Sequence, residues 1–327
     1  MTTPSAHPAS PDRNARAAGA LVGTAVGDAL GAPFEFDIEG VFTRRFPTVA
    51  QAESNGMCGG RGWSPGEATD DTQMALHVAL SLLERGGLDP ADVFARFQRW
   101  ALSDPMDIGL QTEAVLRSGL PWDRAADNYA AHHHRAAGNG SLMRAVTGAL
   151  YFASESEEAT GRAARVVSGL THGDPATGEG CMVFHRLIRV ALDGGDPLDA
   201  VEDALAEIRP GLRERWAVVL APDWLPEHAT EFNGAVWPAL GSALWALRST
   251  GSYAEAVIAA VDSGGDTDTV AAITGGLAGA VYGIGAVPAP WRDVVHVPLP
   301  GAADGELGVW RDADLVALAL RLAADRG

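Results

Sequence analysis

Two short runs of the chain concentrate oxygen ligands where helices are expected to begin. Thr69-Asp70-Asp71-Thr72 follows the Gly/Pro-rich Ser64-Pro65-Gly66, and Asp266-Thr267-Asp268-Thr269 follows the pair Gly264-Gly265. Alone, each run reads as helix capping, because Asp and Thr satisfy free N–H groups and complement the helix dipole. As a pair they hold more negative charge than capping needs. Adjacent carboxylates repel unless cations lie among them, and oxygen donors without Cys or His suit hard ions, Mg²⁺ or Mn²⁺, rather than zinc. If the two helix starts face each other, the set suffices for a binuclear site with ions about 3.5–4 Å apart. A third run, Gly138-Asn139-Gly140-Ser141, precedes a helix expected over 142–149 and offers backbone N–H groups to a phosphate. Its rival reading is an ordinary loop, with Arg144 either a helper or an exposed cation.

Such residues need a rigid scaffold, and the pattern around them is helical. Met74, Ala75, Val78, Leu82 and Leu83 recur at helical spacing after Asp70, and Gly86-Gly87 ends the run. Asp89 with Pro90 opens the next helix, Asp196 with Pro197 one reaching Ile208, Ser252 one reaching Asp262, and Asp312 the last. Alternating β-branched runs are confined to residues 294–299 and, more weakly, 217–220. The expectation is an all-α fold, a single compact domain over residues 17–326 behind a flexible N-terminal tail at 1–16. No interior linker and no repeat of 20 to 50 residues interrupts it. Trp237 and Trp245 fall in an apolar helical segment and are expected in the core.

Composition narrows the chemistry. Of 327 residues, 47% are hydrophobic and 20% charged, a globular profile. The net charge is −18, which repels unmodified nucleic acid and anionic membranes. All 24 basic residues are Arg, so Schiff-base chemistry and the P-loop lysine are excluded. Cys58 and Cys181 have no metal-binding or disulfide spacing, and a reducing cytoplasm is the default compartment. The longest uncharged stretch, residues 270–287, is long enough to suggest a membrane span. Its five glycines make it weakly hydrophobic, and a buried, closely packed helix is expected instead.

Read together, six blocks resemble the ADP-ribosylglycohydrolases, the family that includes the dinitrogenase reductase-activating glycohydrolase. They are GTAVGDALGAPFE from Gly23, ATDDTQMAL from Ala68, DIG from Asp107, GNGSLMR from Gly138, LTHGD from Leu170 and SGGDTDTVAAITGGLAGAVYG from Ser263. The TDDT and GGDTDT blocks, in this order and at this separation, are the specific part. The resemblance implies an orthogonal all-α bundle with two Mg²⁺ or Mn²⁺ ions and hydrolysis of the bond joining ADP-ribose to a modified group. It implies that Thr69, Asp70 and Asp71 bind one metal, that Asp266 and Thr269 bind the other, and that Asp268 bridges them. Glu35 becomes the acid/base or water-orienting group, so that Glu35, Asp70 and Asp268 carry the catalysis. Gly138, Asn139, Gly140, Ser141, Leu142 and Met143 would line the diphosphate and ribose pocket, and His172 would approach the adenosine-side ribose. Asp107 would face a target guanidinium.

On this reading the partner is an ADP-ribosylated protein, with arginine the favoured acceptor, or a small ADP-ribose conjugate. Serine linkage, an O-acyl ester and a non-catalytic ADP-ribose-binding module are the alternatives. The acidic surface disfavours long poly(ADP-ribose). The oligomeric state is left open, a monomer included. Without the resemblance, Glu35 reads as a surface residue, Asp107 as a cap and His172 as a cation at a helix C-terminus.

Overall fold

The computed structural model describes residues 10–324 apart from 304 and 307. Among these are seventeen α-helices and two three-residue strands. Buried apolar side chains from Ala17 to Ala323 form one continuous core. The fold is all-α, as expected.

Two antiparallel helices, Arg13–Gly31 and Thr267–Tyr282, cross at the centre and carry much of the site. Their contact is made by small residues repeated every fourth position. Gly19 faces Gly279, Gly23 faces Gly275, Gly27 faces Ala271 and Gly31 faces Thr267. A Cβ on any of these four glycines would fall 2.0–2.5 Å from a carbonyl oxygen of the opposite helix. The backbones therefore touch directly, which only the absence of side chains allows. Residues 270–282 of the uncharged stretch lie in the second of these helices, buried as expected as far as Ala280. The segment Arg13–Phe34 is the one described stretch long and apolar enough to cross a membrane, and its apolar window is wholly buried inside the protein.

The Asp70–Arg85 helix begins and ends as read from sequence, capped by Thr69 and stopped by Gly86 at φ 67°. Its approach is held by a short β pairing: Ala68 N–H donates to His296 O at 2.9 Å and His296 N–H to Gly66 O at 2.8 Å. His296–Pro298 also pairs antiparallel with Val309–Arg311, His296 opposite Arg311. The strand expected at 294–299 is thus present in shortened form.

Four expectations are corrected. Residues 217–220 are not a strand: they close the Pro210–Val219 helix, where Trp216 is fully buried against Trp237. The helix expected from Pro197 starts at Val201, because residues 197–200 form tight turns closed on Asp196 O and Pro197 O. The helix expected over 142–149 is Val146–Tyr151, since Leu142 and Met143 N–H both turn back to Asn139 O. Of the expected tail, residues 1–9 lie outside the described residues, but residues 13–16 are helical. Asp12 caps that helix, and the buried Arg16 guanidinium donates to Ala280 O at 3.0 Å, tying the start of one central helix to the end of the other. Trp237 is buried and Trp245 partly so.

Candidate active site

The two acidic runs meet. Thr269 Oγ1 donates to Asp71 Oδ1 at 3.4 Å, across 198 residues of sequence. Asp70, Asp71, Asp268 and Thr269 are buried along one wall of a cavity of about 580 Å³, with Asp266 and Glu35 half-buried beside them. Glu35, Asp266 and Asp268 each place a carboxylate oxygen within 4.8 Å of the other two.

Two glycines bring Glu35 there. Gly264 and Gly265 adopt φ 73° and 76°, and a Cβ on Gly265 would lie 2.3 Å from Asn233 Oδ1. The resulting turn runs beside the segment after Glu35: Phe36 N–H donates to Gly265 O at 2.6 Å and Gly265 N–H to Asp37 O at 2.9 Å. Asn233 locks the turn, accepting from Asp266 N–H at 2.9 Å and donating to Gly264 O at 2.9 Å. Asn139 Nδ2 then donates to Asp266 Oδ2 at 2.9 Å, joining the glycine loop of residues 138–140 to the acidic wall.

A further carboxylate supports the cluster from behind. Asp28, fully buried in the first central helix, accepts hydrogen bonds from Thr69 N–H at 2.9 Å, from Thr72 N–H at 3.1 Å and from the Thr72 hydroxyl. It therefore holds the start of the Asp70 helix, satisfying donors a helix leaves free. Sequence analysis assigned it no role, although the one charge in the otherwise apolar run from Ala17 to Gly31 is a readable signal. Asn233 and the cavity-lining Gln111 give no such signal.

The electrostatics are those of crowded acids. Burial, then mutual repulsion, holds Asp70, Asp71 and Asp268 well above the usual carboxylate range. Burial raises Asp107 and Asp266 as well. Burial first, then the charges of Asp107 and Asp266, push Glu35 up to about 7, against the pull of Arg61. Asp71 Oδ2 is buried with no hydrogen-bond partner. An orphan acceptor among acids, none of which has an ion pair among the described residues, fits a hard cation that oxygen ligands would hold.

The other expected residues divide. Asp107, Gly138, Asn139, Gly140, Met143 and His172 line the cavity with the acids. Ser141 and Leu142 do not: Ser141 accepts from the Ser168 hydroxyl at 2.8 Å behind the loop, and Leu142 is fully buried in the core. Thr69 is buried too, its hydroxyl accepting from Asp71 N–H at 3.4 Å as the helix cap rather than lining the cavity. Asp107 caps no helix; Gly109 occupies the N-cap position that follows it. His172 is no helix-capping cation, since burial lowers it to about 3 and leaves it neutral. Arg144 is not exposed but fully buried.

Phe36, which lines the cavity, stacks on Phe232 with ring centres 6.3 Å apart, both largely exposed. Arg61 bridges to Asp37 at 2.6 Å beside them.

A family model described as ADP-ribosylglycohydrolase matches residues 9–326. The chain is 30% identical over 297 residues to the ADP-ribosyl-[dinitrogen reductase] glycohydrolase of Rhodospirillum rubrum, covering 89% of this chain and 91% of that one. It is 31% identical over 298 residues to the ADP-ribosylarginine hydrolase Tri1 of Pseudomonas putida (strain GB-1), covering 86% and 74%. A solved structure described as an ADP-ribosylglycohydrolase-related protein complex superposes with a TM-score of 0.73 at 32% identity, over 95% of this chain and 98% of that one.

Proposed function

The chain belongs to the ADP-ribosylglycohydrolase family, and from that premise we propose that it removes ADP-ribose from arginine side chains of modified proteins, assisted by Mg²⁺ or Mn²⁺. The observation that carries this reading is the convergence of Glu35, Asp70, Asp71, Asp266 and Asp268 on one cavity that the glycine loop 138–140 and His172 also line. Acids suited to cations and a polar loop suited to a nucleotide match the two halves of such a substrate. Arginine is favoured by Asp107, a carboxylate opposite which a guanidinium gains a charge-assisted pair. The naming of one relative as an ADP-ribosylarginine hydrolase supports the same choice.

Asp70, Asp71, Asp266, Asp268 and Thr269 are the residues that would hold two divalent ions. Bound there, such ions supply a grip on vicinal hydroxyls and an acidified water. Everything else falls to side chains. The wall of acids and the glycine loop fix the ribose between them, so that its anomeric carbon faces Glu35. Glu35 as carboxylate takes a proton from the attacking water while the C–O bond forms and the C–N bond to the guanidine breaks. It then returns a proton to the departing nitrogen. Asp107 holds the guanidinium in line for that departure.

The test is hydrolysis of arginine- and serine-linked ADP-ribosyl peptides with Mg²⁺, Mn²⁺ or chelator, comparing the native chain with Asp268→Ala. Metal-dependent release from arginine, abolished by the substitution, is expected. Full activity in chelator overturns the metal assignment. Release from serine alone overturns the acceptor, and ADP-ribose binding without turnover on any peptide points to a binding module.

A further inference from the structure

At the His172 end of the cavity, hydrogen positions are dictated by neighbouring groups. The Arg144 guanidinium can only donate. It gives hydrogen bonds to Thr171 Oγ1 at 2.7 Å, Gly140 O at 3.1 Å and Val167 O at 3.4 Å, and lies over the Phe97 ring. Thr171 Oγ1 is in turn 2.8 Å from His172 Nδ1. Oγ1 accepts from Arg144, and among the described residues His172 Nδ1 is the one acceptor within reach of its own hydrogen, so the arrangement that leaves no donor unpaired sends that hydrogen to Nδ1. Nδ1 then accepts, and the neutral ring carries its hydrogen on Nε2.

Nε2 faces the glycine loop, 3.3 Å from a Cβ built on Gly138 and 3.2 Å from one built on Gly140. Gln111 is oriented by the same logic. Its Nε2 donates to Ala136 O at 3.0 Å and Thr171 O at 3.2 Å, which leaves Oε1 as an acceptor 3.6 Å from the Gly138 Cβ position. One fixed donor and one fixed acceptor thus flank the same ledge.

We propose that Arg144, acting through Thr171, locks His172 as an Nε2–H donor, and that this donor and Gln111 Oε1 form a matched pair that reads sugar hydroxyls and rejects a phosphate ester. A hydroxyl both gives and takes a hydrogen bond and so satisfies both groups. A phosphomonoester dianion has only acceptors; it would face the Gln111 oxygen, while the Arg144 guanidinium is already engaged with Thr171, Gly140 and Val167. The identity of the sugar, the adenosine-side ribose, rests on the function proposed above. Arg144 and Thr171 are positioning residues.

Long-range ¹⁵N NMR on histidine-labelled full-length protein, with His172→Asn to assign the signal, should show a neutral Nε2–H ring from about pH 5 to 8. An Nδ1–H ring, or one that titrates in that range, overturns the relay. Thr171→Val should shift the tautomer signature and weaken calorimetric binding of ADP-ribose about tenfold, the loss of one well-placed hydrogen bond. The effect on kcat should stay within about twofold, and Thr171→Ser should restore both tautomer and affinity. An analogue lacking the adenosine-side ribose hydroxyls should lose nothing further in Thr171→Val, and a 2′-phosphorylated analogue should bind the native chain at least about tenfold more weakly. Unchanged affinity in Thr171→Val, additive losses, or equal binding of the phosphorylated analogue overturns the hydroxyl reading. If the native chain binds no ADP-ribose, the proposed function and the hydroxyl reading fall together, and the tautomer measurement still decides the relay.

Discussion

Replacing Asp28 with Asn should make the metal-free protein more stable in alkaline solution while removing its activity. Asp28 is fully buried, and burial pushes its carboxyl up from an ordinary 3.8 to about 6 despite the hydrogen bonds it accepts from Thr69 and Thr72. A carboxyl raised in the folded state stabilises the fold most below its unfolded pKa, and that contribution is lost as pH rises through the folded value. The interval from 3.8 to about 6 amounts to about 3 kcal/mol at 1.36 kcal/mol per pH unit. Asn cannot ionise and avoids this loss. Against that, the Asn amide sets an N–H group against the Thr69 N–H, which costs about 1–3 kcal/mol at every pH. The variant should therefore be less stable than the native chain below the unfolded pKa. That deficit should close by about 3 kcal/mol by pH 8, about half of it between pH 5 and pH 8, roughly 3 °C in Tm for a chain of this size. Urea unfolding at both pH values in chelator, followed by circular dichroism, measures the difference directly. Hydrolysis should fall by at least about a hundredfold, because the turn carrying Asp70 and Asp71 is no longer anchored. A deficit equal at both pH values would show that Asp28 ionises normally, and would refute the claim that burial raises its carboxyl.

Mg²⁺ or Mn²⁺ at about a hundred times Kd should stabilise the chain by about 2.7 kcal/mol. The gain in thermal scans should be larger at pH 8 than at pH 5, because Asp70, Asp71 and Asp268 are held above their ordinary range and the metal-free fold loses stability as they ionise; an equal gain at both pH values contradicts this. Gly27→Val would set a side chain 2.0 Å from Ala271 O and should cost more than about 4 kcal/mol or prevent soluble expression, whereas Gly87→Ala, which meets nothing within 4 Å, should be near neutral in the same unfolding assay. Asp107→Asn should lower kcat/KM on arginine-linked peptides by about ten- to a hundredfold without loss of fold, and an unchanged value removes Asp107 from acceptor recognition.

What could be read from the sequence was local. Helix limits at Thr69, Asp89-Pro90, Ser252 and Gly86 are decided by residues within one turn of the boundary, and the structure keeps them. The acidic runs are equally local, and so is their chemistry. Block 138–143 shows the limit: a contiguous strip of residues suggests a contiguous pocket lining, but the tight turn on Asn139 O sends Asn139, Gly140 and Met143 to the cavity and Ser141 and Leu142 to the core. Sequence order carries no record of which way each side chain leaves a turn.

The convergence of the acids is encoded elsewhere, in residues that do no chemistry. Small residues at 19, 23, 27 and 31 face their counterparts at 279, 275, 271 and 267, so each step of four along one helix is a step of four back along the other. Bulkier side chains would hold the axes some 8–10 Å apart and leave the register to packing; here the backbones interlock and fix it. A slip of one turn would displace the Thr267 helix by about 5.4 Å relative to Asp28. Asp28 anchors Thr69 and Thr72, and Thr269 reaches Asp71 at 3.4 Å, so a slip of that size would separate the two acidic runs completely. The acids determine what the site can bind, but the glycine ladder determines that there is a single site, and a Gly27 substitution that leaves every acid in place should abolish function as surely as removing one.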